Sequence, residues 1–392
     1  MKIAVVIERL EAWRGGAETS TMELSRLLTA RGHQIHVITT TSAPSPPDVT
    51  IRPISVGPVL RPRRTAAFIR KATAFLGQEC FDLIHAISPI PCADTYQPRG
   101  GLVQEVWRRN VATRSSLAGR AMKRALTALS YKQRSLLELE RAVFHDGGPV
   151  ILAVSRYVAD QCHSFYGLSG PRVRVVFNGV NVEEAPPEER AAGRESVRGQ
   201  YHVDDGTLLL LFVGHNFRLK GLRPLIDVVA NLARSGFTNF RLLVAGRDNP
   251  VRYQRRIHGL DLDRFVTFTG PTQRMASFFH AADVCVHPTY FDPCSRVVLE
   301  ALSHGLPCIT TAFNGAAEVM TDGREGYIID SPEAVETWAE RIRQLSAAPL
   351  RGKMSQHALE LRPKISMSRH VNELEALFVE LAERKGRLCR SA

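Results

Sequence analysis

The sequence predicts an α/β protein built from two doubly wound parallel sheets, and three observations carry that reading. Short apolar runs alternate with helical segments along the whole chain, the rhythm of parallel strands covered on both faces. The chain has 392 residues, more than one hydrophobic core usually organises, so two domains of about 180 to 200 residues follow. A charged, small-residue and proline-bearing stretch, APPEERAAGRESVRG, separates two βα series and has the composition of a linker, which puts the boundary near residues 182–188.

The first series opens with a buried strand at residues 2–7, the loop RLEAWRGGAE, a helix at 18–31 that stops at Gly32, and a strand at 34–39. Gly15 and Gly16 stand at the helix entrance, where a bare backbone approaches a ligand closely; they do not form the GxGxxG dinucleotide pattern. A proline-rich stretch then holds a short strand at 49–54, and a helix leads to a strand at 83–86 that ends in HAISPIPCADTYQPRGG. Ligands of open α/β sheets bind beyond the carboxyl ends of strands, which makes His85, Ser88 and Asp94 candidates. Residues 102–143 read as one or two long helices, and a strand at 149–154 and a helix at 155–166 lead to VRVVFNGVNVE. The second series places strands at 208–213, 241–245, 265–269, 284–286, 307–310 and 327–329, and a last amphipathic helix at 368–384.

Composition narrows the function. No apolar run approaches the roughly 20 residues that span a bilayer, and the apolar start is too short for a signal-peptide core. Seven cysteines lie without paired spacing, which predicts reduced thiols and a cytoplasmic location; Cys285 and Cys308 read as core residues, and Cys294 as a small residue tolerated near a ligand. The formal net charge of +12 asks for an acidic partner. Ten basic residues against three acids between Arg99 and Arg141 hold seven of those twelve charges. With Trp107, Leu117, Met122, Leu126 and Leu129 interleaved, this stretch predicts a basic amphipathic face, including Arg108, Arg109, Lys123 and Arg124, for an anionic membrane surface. No nucleic acid is expected as a partner.

Two loops carry the chemistry. GHNFRLKG follows the strand at 208–213, and its Arg218 and Lys220 suit a diphosphate, one as a fork and the other as a mobile point charge. DPCSRVVLE at 292–300 joins a turn to a helix start and sets Asp292 and Glu300 eight positions apart. Free N–H groups at a helix start favour an anion, and a carboxylate one to two turns on can accept hydrogen bonds from a diol, so a phosphate joined to a ribose suits the segment. Asp261 and Asp263 lie between a helix and a strand and read as a turn rather than a metal site.

Together GGAE at 15–18, FNGV at 177–180, FVGHNFRLKG at 212–221, LLVAG at 242–246, VTFTG at 266–270, the acid-x7-Glu segment and EALSHGLPCITT at 300–311 resemble the family 4 (group 1) glycosyltransferases of GT-B fold. DLIHAISPIPCADTYQPRGG is similar to the lipopolysaccharide core glucosyltransferase branch, where an acid matches Asp94. The resemblance implies two Rossmann-like domains facing across a cleft: residues 1–183 for the acceptor, 184–365 for the nucleotide sugar, and 366–392 as a helix packing back on the first. It implies that Glu300 meets the donor ribose, Asp292 the donor sugar, and Cys294, Ser295 and Arg296 the diphosphate. Lys220, supported by Arg218, neutralises the leaving group, Gly15 and Gly16 approach the reacting centre, and Asp94 lies near the acceptor or the reacting sugar. Asp94, Lys220 and Asp292 are thus the expected catalytic residues, with no metal and no cofactor. Two positions depart from the family: Asp292 where Glu is usual, and Ile87 where many members carry His.

The implied activity is retaining transfer of a hexose from a nucleoside-diphosphate sugar, expected to be a UDP-sugar such as UDP-glucose. The expected acceptor is a membrane-associated glycan or lipid, such as lipopolysaccharide core or another cell-envelope glycoconjugate, reached from the inner face of the membrane. A sugar-nucleotide epimerase or sugar-phosphate synthase on the same fold, and a non-catalytic membrane-docking subunit, are the alternatives.

Overall fold

The computed structural model describes every residue except 12–14, 42–48, 183 and 391–392, and leaves out the side chains of Arg61 and residues 387–390. The chain divides into two compact units. Unit 1 comprises Met1–Gly179 and the chain from Met367 onward, and unit 2 is Val180–Ser366, against expected boundaries at 183/184 and 365/366.

Unit 1 runs β1 (Lys2–Val6), α1 (Gly16–Ala30), β2 (Gln34–Thr39), β3 (Thr50–Pro53), α2 (Arg64–Leu76), β4 (Leu83–Ala86) and β5 (Thr95–Tyr96). It continues through α3 (Val103–Ala112), α4 (Leu117–Leu129), α5 (Tyr131–Val143), β6 (Val150–Ala153), α6 (Arg156–Tyr166) and β7 (Val173–Val175). The strands form one parallel sheet in the order β3-β2-β1-β4-β5-β6-β7, so the strand order reverses between β1 and β4. Local chemistry sets the helix ends. The Ser155 hydroxyl caps α6 by accepting from the Val158 N–H at 3.2 Å, and Gly167, at φ 66°, stops it.

Unit 2 runs α7 (Pro187–Gln200), β8 (Leu208–Val213), α8 (Leu222–Arg234), β9 (Phe240–Ala245), α9 (Val251–His258), β10 (Val266–Gly270) and α10 (Met275–Ala281). It ends with β11 (Val284–His287), α11 (Arg296–Ser303), β12 (Cys308–Thr311), β13 (Gly326–Ile329), α12 (Val335–Gln344), α13 (Ala348–Glu360) and α14 (Arg362–Ile365). Its parallel sheet has the order β10-β9-β8-β11-β12-β13, with the reversal between β8 and β11. Leu210, Phe212, Val244, Leu225 and Trp338 fill its core, each large apolar side chain contributing roughly 1.5–3 kcal/mol by burial. The last helix, α15 (Met367–Arg390), belongs to unit 1, where Val371, Leu374 and Phe378 join Ile3, Val5 and Leu28 in the core.

The secondary structure differs from expectation in three places. The stretch at 102–143 is three helices, because Thr113 ends α3 and Ser130 both ends α4 and begins α5. The segment read as a linker is mostly α7. It is anchored by Arg198, only 3% exposed, whose guanidinium donates to Asp283 Oδ2 at 2.7 Å and to the Ala281 carbonyl at 3.1 Å. The polar segment after β4 contains an additional strand, β5.

Candidate active site

In unit 2 the two loops singled out in the sequence meet at the reversal point of the sheet. Beyond β8, Phe217 is buried against Phe212 and Tyr253, and its N–H donates to Asp248 Oδ2 at 2.8 Å, which ties this loop to the one that follows β9. Gly221 then starts α8 at φ 81°, and a Cβ there would lie 1.8 Å from the Pro288 carbonyl oxygen, so only glycine lets this turn reach the exit of β11. The two loops are stitched together at that point: the Leu219 carbonyl accepts from the Tyr290 N–H at 2.9 Å and the Thr289 hydroxyl at 3.2 Å.

This close approach delivers Lys220 to Asp292. The ammonium Nζ lies 2.5 Å from Asp292 Oδ2, and the Asp292 backbone is held by the Phe313 carbonyl at 2.9 Å and the Gly315 N–H at 3.0 Å. Asn314 fixes the turn into α11, its Oδ1 accepting from the Ser295 N–H at 3.1 Å and the Ala316 N–H at 3.0 Å. His287, the last residue of β11, places Nε2 3.5 Å from Asp292 Oδ2 and 3.5 Å from Ser295 Oγ. Burial opposes ionisation of Asp292, but the Lys220 ammonium and the His287 hydrogen bond outweigh it and hold the carboxyl far below the usual carboxylate range. Burial also lowers the pKa of His287, against the pull of Asp292, so the imidazole is neutral and its Nε2–H donates to the carboxylate.

Along α11, Arg296 Nη2 donates to Glu300 Oε1 at 3.2 Å, and both stand on the partly exposed face while Val298, Leu299, Ala301 and Leu302 are buried. Cys294 and Ser295 are buried in the turn. Arg218 lines a neighbouring basic cleft of about 660 Å3 at the ends of β8 and β9, with His215, Arg252 and Arg255. The structure thus joins Lys220 and Asp292 directly and places Glu300 and Arg296 on the adjacent helix. His287 and Asn314 were not singled out in the sequence, although a histidine closing the apolar run VCV at a carboxyl end was a legible signal.

In unit 1, Gly15 and Gly16 open α1 directly beyond β1, beside the reversal point, while residues 12–14 of that loop lie outside the described residues. The Glu8 N–H donates to Ser88 Oγ at 2.9 Å, so the exits of β1 and β4 are tied together. Asp94 is elsewhere. The chain turns back after β4, so Asp94 precedes β5 at the amino edge of the sheet. Its carboxylate accepts from the Ile84 N–H at 2.7 Å and from Lys385 Nζ at 3.1 Å. This corrects the reading of Asp94 as a group beyond a carboxyl end: here it tethers β4 and α15. Arg99 lies past β5 at the carboxyl edge, donating to Gln97 Oε1 at 2.7 Å and to the Ala17 carbonyl in the first turn of α1 at 3.4 Å. His85 is fully buried, paired with Thr95 Oγ1 at 2.9 Å, and takes a structural place.

The basic helices also depart from expectation in detail. Arg109 and Arg108 reach Glu105, itself 1% exposed, at 2.6 and 2.8 Å, and the Trp107 indole N–H donates to Gln133. Leu117, Met122, Leu126 and Leu129, all expected on the outward face, are exposed on α4 beside Arg124 and the partly exposed Lys123.

Both units match family models. The family 4 glycosyltransferase model matches residues 14–184, and the glycosyl transferases group 1 model matches 207–348, the span that contains Lys220, Asp292 and Glu300. The chain belongs to glycosyltransferase family 4. Among its relatives, the lipopolysaccharide glucosyltransferase WaaG of Escherichia coli is 26% identical over 349 residues, covering 88% of this chain and 90% of that protein. D-inositol 3-phosphate glycosyltransferase 2 of Catenulispora acidiphila is 26% identical, with coverage of 86% and 83%. The crystal structure of WaaG, a glycosyltransferase involved in lipopolysaccharide biosynthesis, superposes with a TM-score of 0.81 at 23% identity, covering 96% of this chain and 99% of that one. Anabaena Alr3699/HepE in complex with UDP and glucose superposes with a TM-score of 0.73 at 16% identity, covering 97% and 99%. The fold is therefore GT-B.

Proposed function

We propose that the protein transfers a hexose from a nucleoside-diphosphate sugar, of which a UDP-sugar is favoured, to a hydroxyl of a membrane-associated glycan or lipid, with retention of configuration and without a metal. The observation that carries this reading is the Lys220–Asp292 pair at the sheet reversal of the group 1 domain. The relative named as a lipopolysaccharide glucosyltransferase supports a cell-envelope acceptor, and the neighbour holding UDP and glucose supports the donor class.

In this mechanism the incoming diphosphate takes the Lys220 ammonium and the N–H groups at the start of α11, which releases Asp292 to accept hydrogen bonds from the donor sugar. Glu300 accepts from the ribose. As the bond between the anomeric carbon and the diphosphate oxygen breaks, negative charge grows on the leaving group, where a preorganised cation is most effective. The acceptor oxygen bonds to the same face of the anomeric carbon and passes its proton to the departing phosphate oxygen. Lys220, Arg218 and the helix start supply the charge that a metal would otherwise supply. The exposed row on α4, with Arg124 and Lys123, docks on anionic lipid at the inner face of the membrane and brings the acceptor within reach.

Thermal stabilisation across UDP-, GDP- and ADP-sugars tests the donor, since a ligand of the native state raises its apparent stability. Release of nucleoside diphosphate that depends on a glycan acceptor, and its loss in Lys220→Ala and Glu300→Ala, tests transfer. Acceptor-independent turnover would point to an epimerase. Undiminished function in both variants would point to a binding module.

A further inference from the structure

Unit 2 has a second polar cavity at the opposite edge of its sheet. It measures about 550 Å3 and lies at the amino ends of β11 and β12, walled by α7, α13 and the end of α10. Gly305, at φ 73°, admits α13: a Cβ there would stand 2.9 Å from Ser355 Oγ and 3.1 Å from Leu359 Cγ. The lining includes Arg190, Arg194, Arg351, His280 and His304, with Asp283 as its acid.

The charges in this cavity do not balance. Asp283 is already engaged by the buried Arg198 at 2.7 Å and by the Leu209 N–H at 2.7 Å, with Arg194 further off at 3.5 Å. Arg351 donates to the Leu345 and Ser346 carbonyls, which are neutral acceptors. Among the described residues Arg190 makes no side-chain hydrogen bond or ion pair, and it acts on His280. Glu189 also acts on His280 but is not part of the lining. His280 Nε2 and His304 Nδ1 are 3.0 Å apart, so one ring donates to the other and the pair keeps two further ring nitrogens, one on each ring. Phe279 stacks on His304 with ring centroids 5.3 Å apart and holds that ring in place.

We propose that this cavity is an anion site, distinct from the donor crevice, that takes a small soluble phosphate-type dianion. Arg190 and Arg351 supply the charge, and the histidine pair and Ser355 supply hydrogen bonds. His304 caps the C-terminal end of α11, the helix that carries Arg296 and Glu300, so an occupant touches the element that also forms the donor segment. The inference needs no assumption about the donor.

The test is a diethylpyrocarbonate footprint of the full chain, read residue by residue by mass spectrometry with and without inorganic phosphate. Phosphate is expected to slow modification of His280 and His304, while the exposed His258 reacts unchanged. Arg190→Gln, which removes the charge of a guanidinium that makes no side-chain hydrogen bond or ion pair among the described residues, is expected to raise the half-protecting phosphate concentration about tenfold, as for loss of one charge-assisted hydrogen bond. Unchanged rates in phosphate would overturn the proposal. So would equal protection by chloride at matched ionic strength, equal protection in Arg190→Gln, or protection by anionic vesicles but not by free phosphate. The wild-type footprint stands whether or not a variant folds.

Discussion

Lys220→Ala is expected to destabilise unit 2 by about 3 kcal/mol. Asp292 is 8% exposed, and its carboxylate has the ammonium at 2.5 Å and the weaker His287 donor at 3.5 Å. The two side chains are 20% and 12% exposed, so solvent screens the pair little. Removing one partner of such a pair strands the other charge and costs about 3–5 kcal/mol. The remaining His287 contact favours the lower end. For a unit of this size that corresponds to a fall in Tm of about 6–12 °C. Urea unfolding followed by fluorescence of Trp338, fully buried in the unit 2 core, reads the change when Trp13 and Trp107 are both replaced by Phe. The pairing argument also requires that Asp292→Leu added to Lys220→Met recover about 2 kcal/mol of the summed single losses. A Lys220→Ala protein within about 0.5 kcal/mol of the parent, with no coupling in the cycle, would refute the account.

Further outcomes rest on the same geometry. Gly221→Ala sets a Cβ against the Pro288 carbonyl at a left-handed backbone position, so it should lower the Tm of unit 2 and cut transfer at least as much as Lys220→Ala in a side-by-side assay. Asp292 has a folded pKa far below its unfolded value of about 3.9, so its contribution is fully present above that pH and is lost as pH falls below it; unfolding free energies between about pH 5 and 2 should fall more steeply for the parent than for Asp292→Asn. Glu140 behaves oppositely: burial raises its pKa against the hydrogen bonds from Tyr166 and the Val103 N–H, so stability is lost as pH rises from about 4.3 through the folded value, and Glu140→Gln should flatten that slope. Met122→Asp with Leu126→Asp should reduce sedimentation with anionic liposomes and leave the Tm nearly unchanged, because both side chains point to solvent.

The strands were legible because most are buried on both faces and read as unbroken apolar runs, LLLLFV at β8 being the clearest. β5 was not, because it is two residues long and lies in a polar layer where Thr95 and Gln97 are fully buried beside His85. α7 was hidden by composition: its buried anchors include an arginine, whose partner Asp283 is 85 residues away. Asp94 was misplaced for a related reason. A turn cluster after a strand does not say which edge of the sheet the chain has reached, and here it had already gone back to the amino edge. Lys220 and Asp292 were each legible, but their pairing across 72 residues depends on the missing Cβ of Gly221.

The position of α15 bears on the order in which the molecule assembles. Unit 2 is one continuous stretch, so a chain emerging from the ribosome can complete it while unit 1, begun earlier, still lacks Val371, Leu374 and Phe378. Arg31, bonded to Glu375 at 2.5 Å, waits through that interval, as does His33 for its contact with the same carboxylate at 2.8 Å. Until translation reaches those residues, Leu24 and Leu28 lack the apolar partners that α15 gives them in the finished fold, so the earlier-made half is the later of the two to close its core.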